Sequence, residues 1–350
     1  MTDRPEGVQE NTPLAPKTSM RVGGAARFYA ELPSNQALAN ALRWAQSESI
    51  PTAVIGGGTN LLCADAGFSG LVLHYTANAL SATEQGSDIL LRVDAGFAWE
   101  RLVSYAVERR WAGVECLSGI PGNVGAVPIQ NVGAYGRDVS EMIVSVDALE
   151  RETQKLRTFQ GSECDFGYRT SRFKYDDRDR FVITAVTLRL SQGPVATPRY
   201  PELVRRLEGK PLTPQTVREQ VLSARREKSM VLSETDPNAR SCGSFFLNPV
   251  ITRSELDSLS QRLQSHKVPQ FPTEDGKIKV PAAWLIERAG FNKGYRQGRA
   301  GLSEKHSLAL VAHEGATCRE VLALADTIQT EVARRFSVHL EREPVLLESP

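Results

Sequence analysis

Three short constellations hold the side chains best suited to chemistry. In Phe166-Gly167-Tyr168-Arg169 an arginine follows a glycine turn and an aromatic ring. Its guanidinium is a fixed, always-charged fork that suits an oxyanion or a carboxylate; the plainer reading is a surface arginine in a turn. Ser244 lies between Gly243 and the pair Phe245-Phe246, so its hydroxyl can sit in a partly dry pocket and act as a proton donor if a neighbour stabilises its alkoxide. The alternative is a turn serine bonded to its own backbone. No GxSxG elbow surrounds it and no histidine is near in sequence, which leaves hydrolase chemistry little support. Glu341 and Glu343 are two apart on an expected strand over 338–347, where both would project from one face. One would act as an acid or electrostatic partner while the other is solvated, and alternation does not choose between them.

Two glycine loops offer backbone in place of side chains. GIPGNVGAVPIQNVGAYG, from Gly119 to Gly136, carries five glycines and neither lysine nor arginine, so any negative group bound there must be met by peptide dipoles. The strand Thr52–Ile55 runs straight into Gly56-Gly57-Gly58-Thr59-Asn60, a strand-then-glycine arrangement that suits phosphate. Neither loop has the spacing of a Rossmann fingerprint or a Walker loop. Two cradles in one chain can hold the two ends of one large cofactor, whereas either alone could be a plain turn.

These sites need a scaffold of more than one core, since 350 residues exceed the usual single-domain size. The element pattern is α+β. Strands are expected over 25–32, 52–55, 70–75, 89–94 and 181–190, with a hairpin of 143–150 and 155–160. Helices are expected over 34–47 with Ser34 as cap, 99–109, 213–228 with Thr213 as cap and Pro214 at its first position, 280–289 and 316–336. Residues 229–240 read as a loop, and the turn-rich stretch 191–198 reads as the main boundary.

Forty-two basic residues balance forty-one acidic ones, and no basic run with interleaved aromatics occurs, so nucleic acid is not an expected partner. Five scattered cysteines with no CxxC argue against a disulfide frame or a zinc site. No apolar run approaches the roughly 20 residues of a membrane span, and no signal peptide is evident at the N-terminus. A cytoplasmic, monomeric protein with no bound metal is expected.

In this order, the Arg21–Gly24 motif, GGGTNLL, IPGNVGAVPIQNVGAYG, FGYRTSRFK, CGSFFLNP and the closing LEREP resemble the UDP-N-acetylenolpyruvoylglucosamine reductase family across nearly the whole chain. The resemblance implies a two-part FAD-binding module of the vanillyl-alcohol oxidase type, with an α+β substrate-binding domain beside it. The parts would be 1–80, rejoined by 338–350, then 81–192, and the substrate domain over 200–337. It implies non-covalent FAD against Gly56, Gly57, Gly58, Thr59 and Asn60 and against Pro121, Gly122, Gly125, Ala126, Gln130, Asn131, Gly133 and Ala134, with Gln130 and Asn131 facing the cofactor.

Carried over residue by residue, the family's catalytic arginine, serine and glutamate fall on Arg169, Ser244 and Glu343. By that likeness NADPH reduces the flavin, and hydride then passes to the methylene carbon of UDP-N-acetylglucosamine enolpyruvate. Arg169 and a protonated Glu343 stabilise the enolate-like charge, and Ser244 protonates the adjacent carbon. Tyr200, Lys228, Asn248 and His306 match positions that meet the nucleotide part of the substrate. The chain departs from the pattern at Leu247, where a lysine is common, and at Pro344, where valine is expected. Two other readings remain open: a flavin oxidase of the same fold acting on a small alcohol or sugar, and a nucleotide-sugar binding protein without turnover. An oxidase has no need of the Arg169, Ser244 and glutamate set, and a binding protein could lose Ser244 freely.

Overall fold

The computed structural model describes residues 4–263, 267–273 and 275–350. Its first sheet contains β1 (Gln9–Pro13), β2 (Ala25–Leu32), β3 (Thr52–Ile55) and, past a short β4 (Leu61–Cys63), β5 (Phe68–Tyr75). The spatial order is β1-β2-β5-β3, with β1 antiparallel to β2 and the other neighbours parallel. Parallel strands need a crossover, and α1 (Asn35–Ser47) supplies it between β2 and β3, which flank β5. The helix starts as its sequence dictates, with the Ser34 hydroxyl accepting from the Ala37 amide at 3.2 Å. Leu38, Leu42 and Ala45 form its buried stripe and share a core with Phe28, Leu71 and Leu73 of the sheet.

The second sheet is wholly antiparallel. It comprises β6 (Leu80–Gln85), β7 (Asp88–Asp94), β10 (Ile143–Glu150), β11 (Leu156–Gln160) and β12 (Phe181–Ser191), in the order β11-β10-β12-β7-β6. A two-strand ribbon of β8 (Gly133–Ala134) and β9 (Arg137–Asp138) lies in the loop before it. Strand β6 is an addition to the sequence reading. Five of its six residues are exposed, so it is an edge strand without inward alternation.

Helix α2 (Trp99–Glu108) fixes the start of the central glycine loop. The Trp99 indole is 1% exposed, a burial worth about 2–3 kcal/mol. Its Nε1 donates to the Leu117 carbonyl at 3.2 Å, and its main-chain N–H donates to the Gly122 carbonyl at 2.9 Å. Glu100, one residue on, accepts from the Gly119 amide and pairs with Arg218. The first turn of α2 therefore grips Leu117–Gly122 at three points.

Within 200–337, expected as one domain, the buried apolar residues fall into two clusters. Helices α3 (Pro201–Leu207) and α4 (Pro214–Glu227) bury Leu203, Leu207, Val217 and Val221 with Ala112, Cys116 and Val195, against the second part. Thr213 caps α4 through Thr216, and Pro214 opens it. The remainder gathers around α7 (Cys318–Phe336), with α5 (Arg253–Leu263), α6 (Ala282–Arg288) and two small three-stranded sheets. These sheets are β13 (Val250–Ile251), β14 (Phe271–Pro272) and β15 (Ile278–Lys279), then β16 (Arg296–Gln297), β17 (Ala300–Leu302) and β18 (Leu310–Ala312). Helices α3 and α5 are not apparent in the sequence pattern, because each buries only two leucines.

The closing strand is shorter than expected. Only β19 (Val345–Leu347) is regular, and it pairs parallel to β4 in the first part. Residues 338–344 are held instead by α7: Val338 and Leu340 join its core, Gln329 Nε2 donates to the Leu340 carbonyl at 2.6 Å, and Arg342 Nε donates to Gln329 Oε1 at 2.9 Å. Pro344 then removes a donor from any ladder.

Candidate active site

The two glycine loops meet. A Cβ on Gly57 would lie 2.9 Å from the Cα of Gly122, and one on Gly122 would lie 2.9 Å from the Thr59 hydroxyl. Gly58 has φ +63 and packs so tightly on Lys17 that a side chain there would meet its carbonyl at 2.0 Å. Among the described residues, the N–H groups of Gly57, Gly58 and Thr59 donate to no protein acceptor. Unspent amides grouped in a glycine bend form a nest for an anion. Beside them lies a cleft of about 400 Å³, lined by Gly56, Gly57, His74, Thr76, Gly96 and Asn123 together with Lys17, Ile55 and Asn78. Unspent donors and glycines that leave no room for a Cβ fit the diphosphate of a dinucleotide.

Asn60 ties this corner together. Its Nδ2 donates to Gln130 Oε1 at 3.1 Å and to the Glu343 carbonyl at 3.2 Å, while its own carbonyl accepts from the Val345 amide at 3.0 Å. One side chain thereby joins the GGGTN loop, the central loop and the chain's closing segment.

The central loop has two halves with different work. Pro121 and Gly122 belong to the half that faces the GGGTN loop. Gly125 packs against Ala95, which a Cβ would meet at 2.6 Å, and its amide donates to the Ala95 carbonyl. Ala126 spends its amide on Asn123. Asn131, expected to face a cofactor, is 3% exposed, and its side chain donates to the Gly167 carbonyl at 2.9 Å and accepts from the Ser140 amide at 3.1 Å. Its amide needs both partners, so it was drawn inward. Gly133 and Ala134 form the ribbon with Arg137–Asp138, which leaves no space for a Cβ at 133.

This second half seats Arg169. The guanidinium donates to the Asn131 carbonyl at 3.2 Å and to the Gly133 carbonyl, with Asp138 Oδ1 3.7 Å from Nη1. Its backbone is left-handed at φ +55, a sparsely populated region for a branched cation, held by the Gly167–Thr170 bridge. Glu343 Oε1 stands 3.7 Å from Arg169 Nε. Burial pushes the Glu343 carboxyl above its ordinary value, against the opposing pull of Arg169 and Lys174. Glu341 instead is exposed, and its side chain accepts from the Tyr175 hydroxyl at 3.4 Å, so the two glutamates do not share a face.

Ser244 enters from the third part. The carbonyl of Phe245, next in sequence, accepts from the Glu343 amide at 2.9 Å, and the Phe245 amide donates to the Leu308 carbonyl at 2.8 Å. Phe246 bridges Arg342, and the Leu247 amide donates to Glu341. The CGSFF segment is thus zipped to the segment that carries Glu343, and the buried Phe245 and Phe246 anchor it. Arg169 and Glu343 thus meet, and the segment that carries Ser244 is hydrogen-bonded to the segment that carries Glu343.

The four expected substrate contacts fall on two flanks. Tyr200 is exposed and stacks edge-on against Tyr135 of the central loop at 5.4 Å. Lys228, at the end of α4, pairs with Glu202 at 2.7 Å. Burial, and then the nearby charge of Lys228 and Lys293, lowers His306 to about 4, so it is neutral at pH 7. Asn248 caps α6 through the Ala282 amide at 2.9 Å and lies beside the Tyr168 hydroxyl. Two further groups escaped the sequence reading: Lys279, 4.7 Å from the Tyr168 ring, and Asp138. Burial lowers the Lys279 ammonium and raises the Asp138 carboxyl. Asp138 lies two residues past the central loop, whereas Lys279 carries no local signal.

Among the described residues, no cluster of histidine, cysteine or acidic side chains is arranged to hold a metal, and no helix is long and apolar enough to cross a membrane. The five cysteines are free and buried.

Residues 26–158 match a family described as FAD binding domain, and residues 236–347 match the C-terminal domain of UDP-N-acetylenolpyruvoylglucosamine reductase. The reductase of that name from Thermobifida fusca is 44% identical over 96% of this chain and 97% of its own length. That from Saccharopolyspora erythraea is 41% identical over 96% and 94%. In three dimensions the crystal structure of the Thermus caldophilus reductase covers 96% of this chain and 97% of its own, with a TM-score of 0.65 at 23% identity, a likeness of fold.

Proposed function

The chain belongs to the UDP-N-acetylenolpyruvoylglucosamine reductase family, a flavin-dependent oxidoreductase with an FAD-binding domain, and from that premise we propose how its own residues share the work. The reaction is reduction of the enolpyruvyl group of UDP-N-acetylglucosamine enolpyruvate to UDP-N-acetylmuramate, a step of peptidoglycan precursor synthesis, with NADPH as the electron donor.

Gly57, Gly58 and Thr59 would hold the FAD diphosphate through their unspent amides, with Gly122 and Asn123 of the central loop packed against them. Bound FAD, once reduced by NADPH, would supply the hydride. Arg169, fixed by two loop carbonyls, and Glu343, whose carboxyl burial pushes above its ordinary value, stabilise the negative charge that develops on the enolpyruvyl carboxylate and enolate. Ser244 hands its proton to the adjacent carbon, for which a weak acid suffices because the acceptor is a carbanion. Tyr200, Lys228, Asn248 and His306 bind the nucleotide and diphosphate of the substrate.

The observation that carries this reading is the 3.7 Å approach of Glu343 to Arg169 beside the segment of Ser244. An oxidase acting on an alcohol needs no such acid-rich cradle for a carbanion. Stopped-flow absorbance of the bound flavin tests it. NADPH should bleach the flavin, and the enolpyruvyl substrate should restore its colour without oxygen. Bleaching by NADPH with reoxidation by oxygen alone would overturn it.

A further inference from the structure

Lys17 takes no part in the chemistry above, yet it lines the clefts on both sides of the GGGTN loop. In the cleft of about 400 Å³ it is the only lysine or arginine among the described lining residues. His74, the other titratable group there, is held below its ordinary value by burial and is neutral at pH 7. The main chain of Lys17 is locked to the loop. Its carbonyl is in van der Waals contact with Gly58, and Ser19, two residues on, donates to the Gly58 carbonyl at 3.1 Å.

The side chain, by contrast, is lightly held. Its ammonium lies 3.5 Å from Glu31 Oε1 and 4.6 Å from the centre of the Tyr29 ring, and the two charged side chains are 35% and 55% exposed. An exposed pair of this kind contributes little and exchanges readily. Peptide dipoles of the cradle carry only partial charge, so a diphosphate there is left under-neutralised. We propose that Lys17 exchanges Glu31 for the FAD diphosphate and is a cofactor-binding residue of this chain, an assignment that rests on the reading of the two loops as the diphosphate cradle.

The test strips flavin from the full-length protein and retitrates it with FAD, following quenching of flavin fluorescence at several salt concentrations. Lys17→Met, which keeps the stem over Tyr29, should raise the Kd about tenfold at low salt, the usual worth of one charge-assisted contact. It should also flatten the salt dependence, whereas Lys17→Arg should stay near wild type. Riboflavin, which lacks phosphate, should bind wild type and Lys17→Met alike. The proposal is overturned if Lys17→Met binds FAD like wild type at every salt concentration, or if it loses FAD and riboflavin equally. Failure of the wild-type protein to quench FAD at all would sink the loop reading itself, and the proposal with it.

Discussion

Glu343 Oε1 lies 3.7 Å from Arg169 Nε, and this contact is made by two side chains that are both largely withdrawn from water. Neither position is set locally: Arg169 hangs from carbonyls of the central loop, and Glu343 is pinned through its main chain to Phe245 and Asn60. Their meeting is a product of the whole fold.

Glu343 makes stability depend on pH with a definite sign. Its proton is bound more tightly in the folded chain than at the ordinary value of 4.5, so the stabilisation is complete below 4.5 and is lost as pH rises through the folded value. Glu343→Gln, which carries no titrating proton, should therefore gain in melting temperature relative to wild type between pH 4.5 and pH 7.5. A difference that is constant across that range would refute the shift.

Ser244→Ala should leave flavin reduction by NADPH intact while slowing flavin reoxidation by substrate about 10²–10⁴-fold, the span expected for one general acid. Single-turnover absorbance separates the halves. Product formation at the normal rate removes Ser244 from the mechanism.

Asn131→Ala should act at a distance. It leaves the Ser140 amide without a partner and the Gly167 carbonyl with the Thr170 amide alone, at a cost of about 1–3 kcal/mol for the orphaned buried donor. Urea unfolding should show a lower midpoint, and kcat should fall with it because Arg169 draws its carbonyl seat from the same residue. Unchanged unfolding would mean that these bonds carry no net weight.

Gly57→Ala probes the seam between the loops. The added methyl would press on Gly122 at 2.9 Å, so the protein should fold yet purify with less flavin, read as absorbance at 450 nm against 280 nm. Full flavin content would show that the loops can part without loss.

Much of the scaffold was legible because it rests on local chemistry. Ser34 and Thr213 cap the helices they announce, and both glycine loops lie where their composition placed them. What escaped has weak local signal. Strand β6 has no inward alternation, α3 and α5 each hide two leucines, and residues 338–344 look like a strand until α7 claims Val338 and Leu340. Within the site, the glycine pattern could not distinguish amides left open for a ligand from those the loop spends on itself. Gly125 and Asn131 belong to the second kind, and only tertiary contacts with Ala95, Ser140 and Gly167 reveal it.

The parallel pairing of β19 with β4 has a temporal meaning. A chain leaving the ribosome can fold its two sheets early, yet residue 343 emerges only after them and is fixed in place by the strand just behind it. Chemistry at this centre must therefore wait until translation has passed that strand, a built-in delay between having a shape and having an activity.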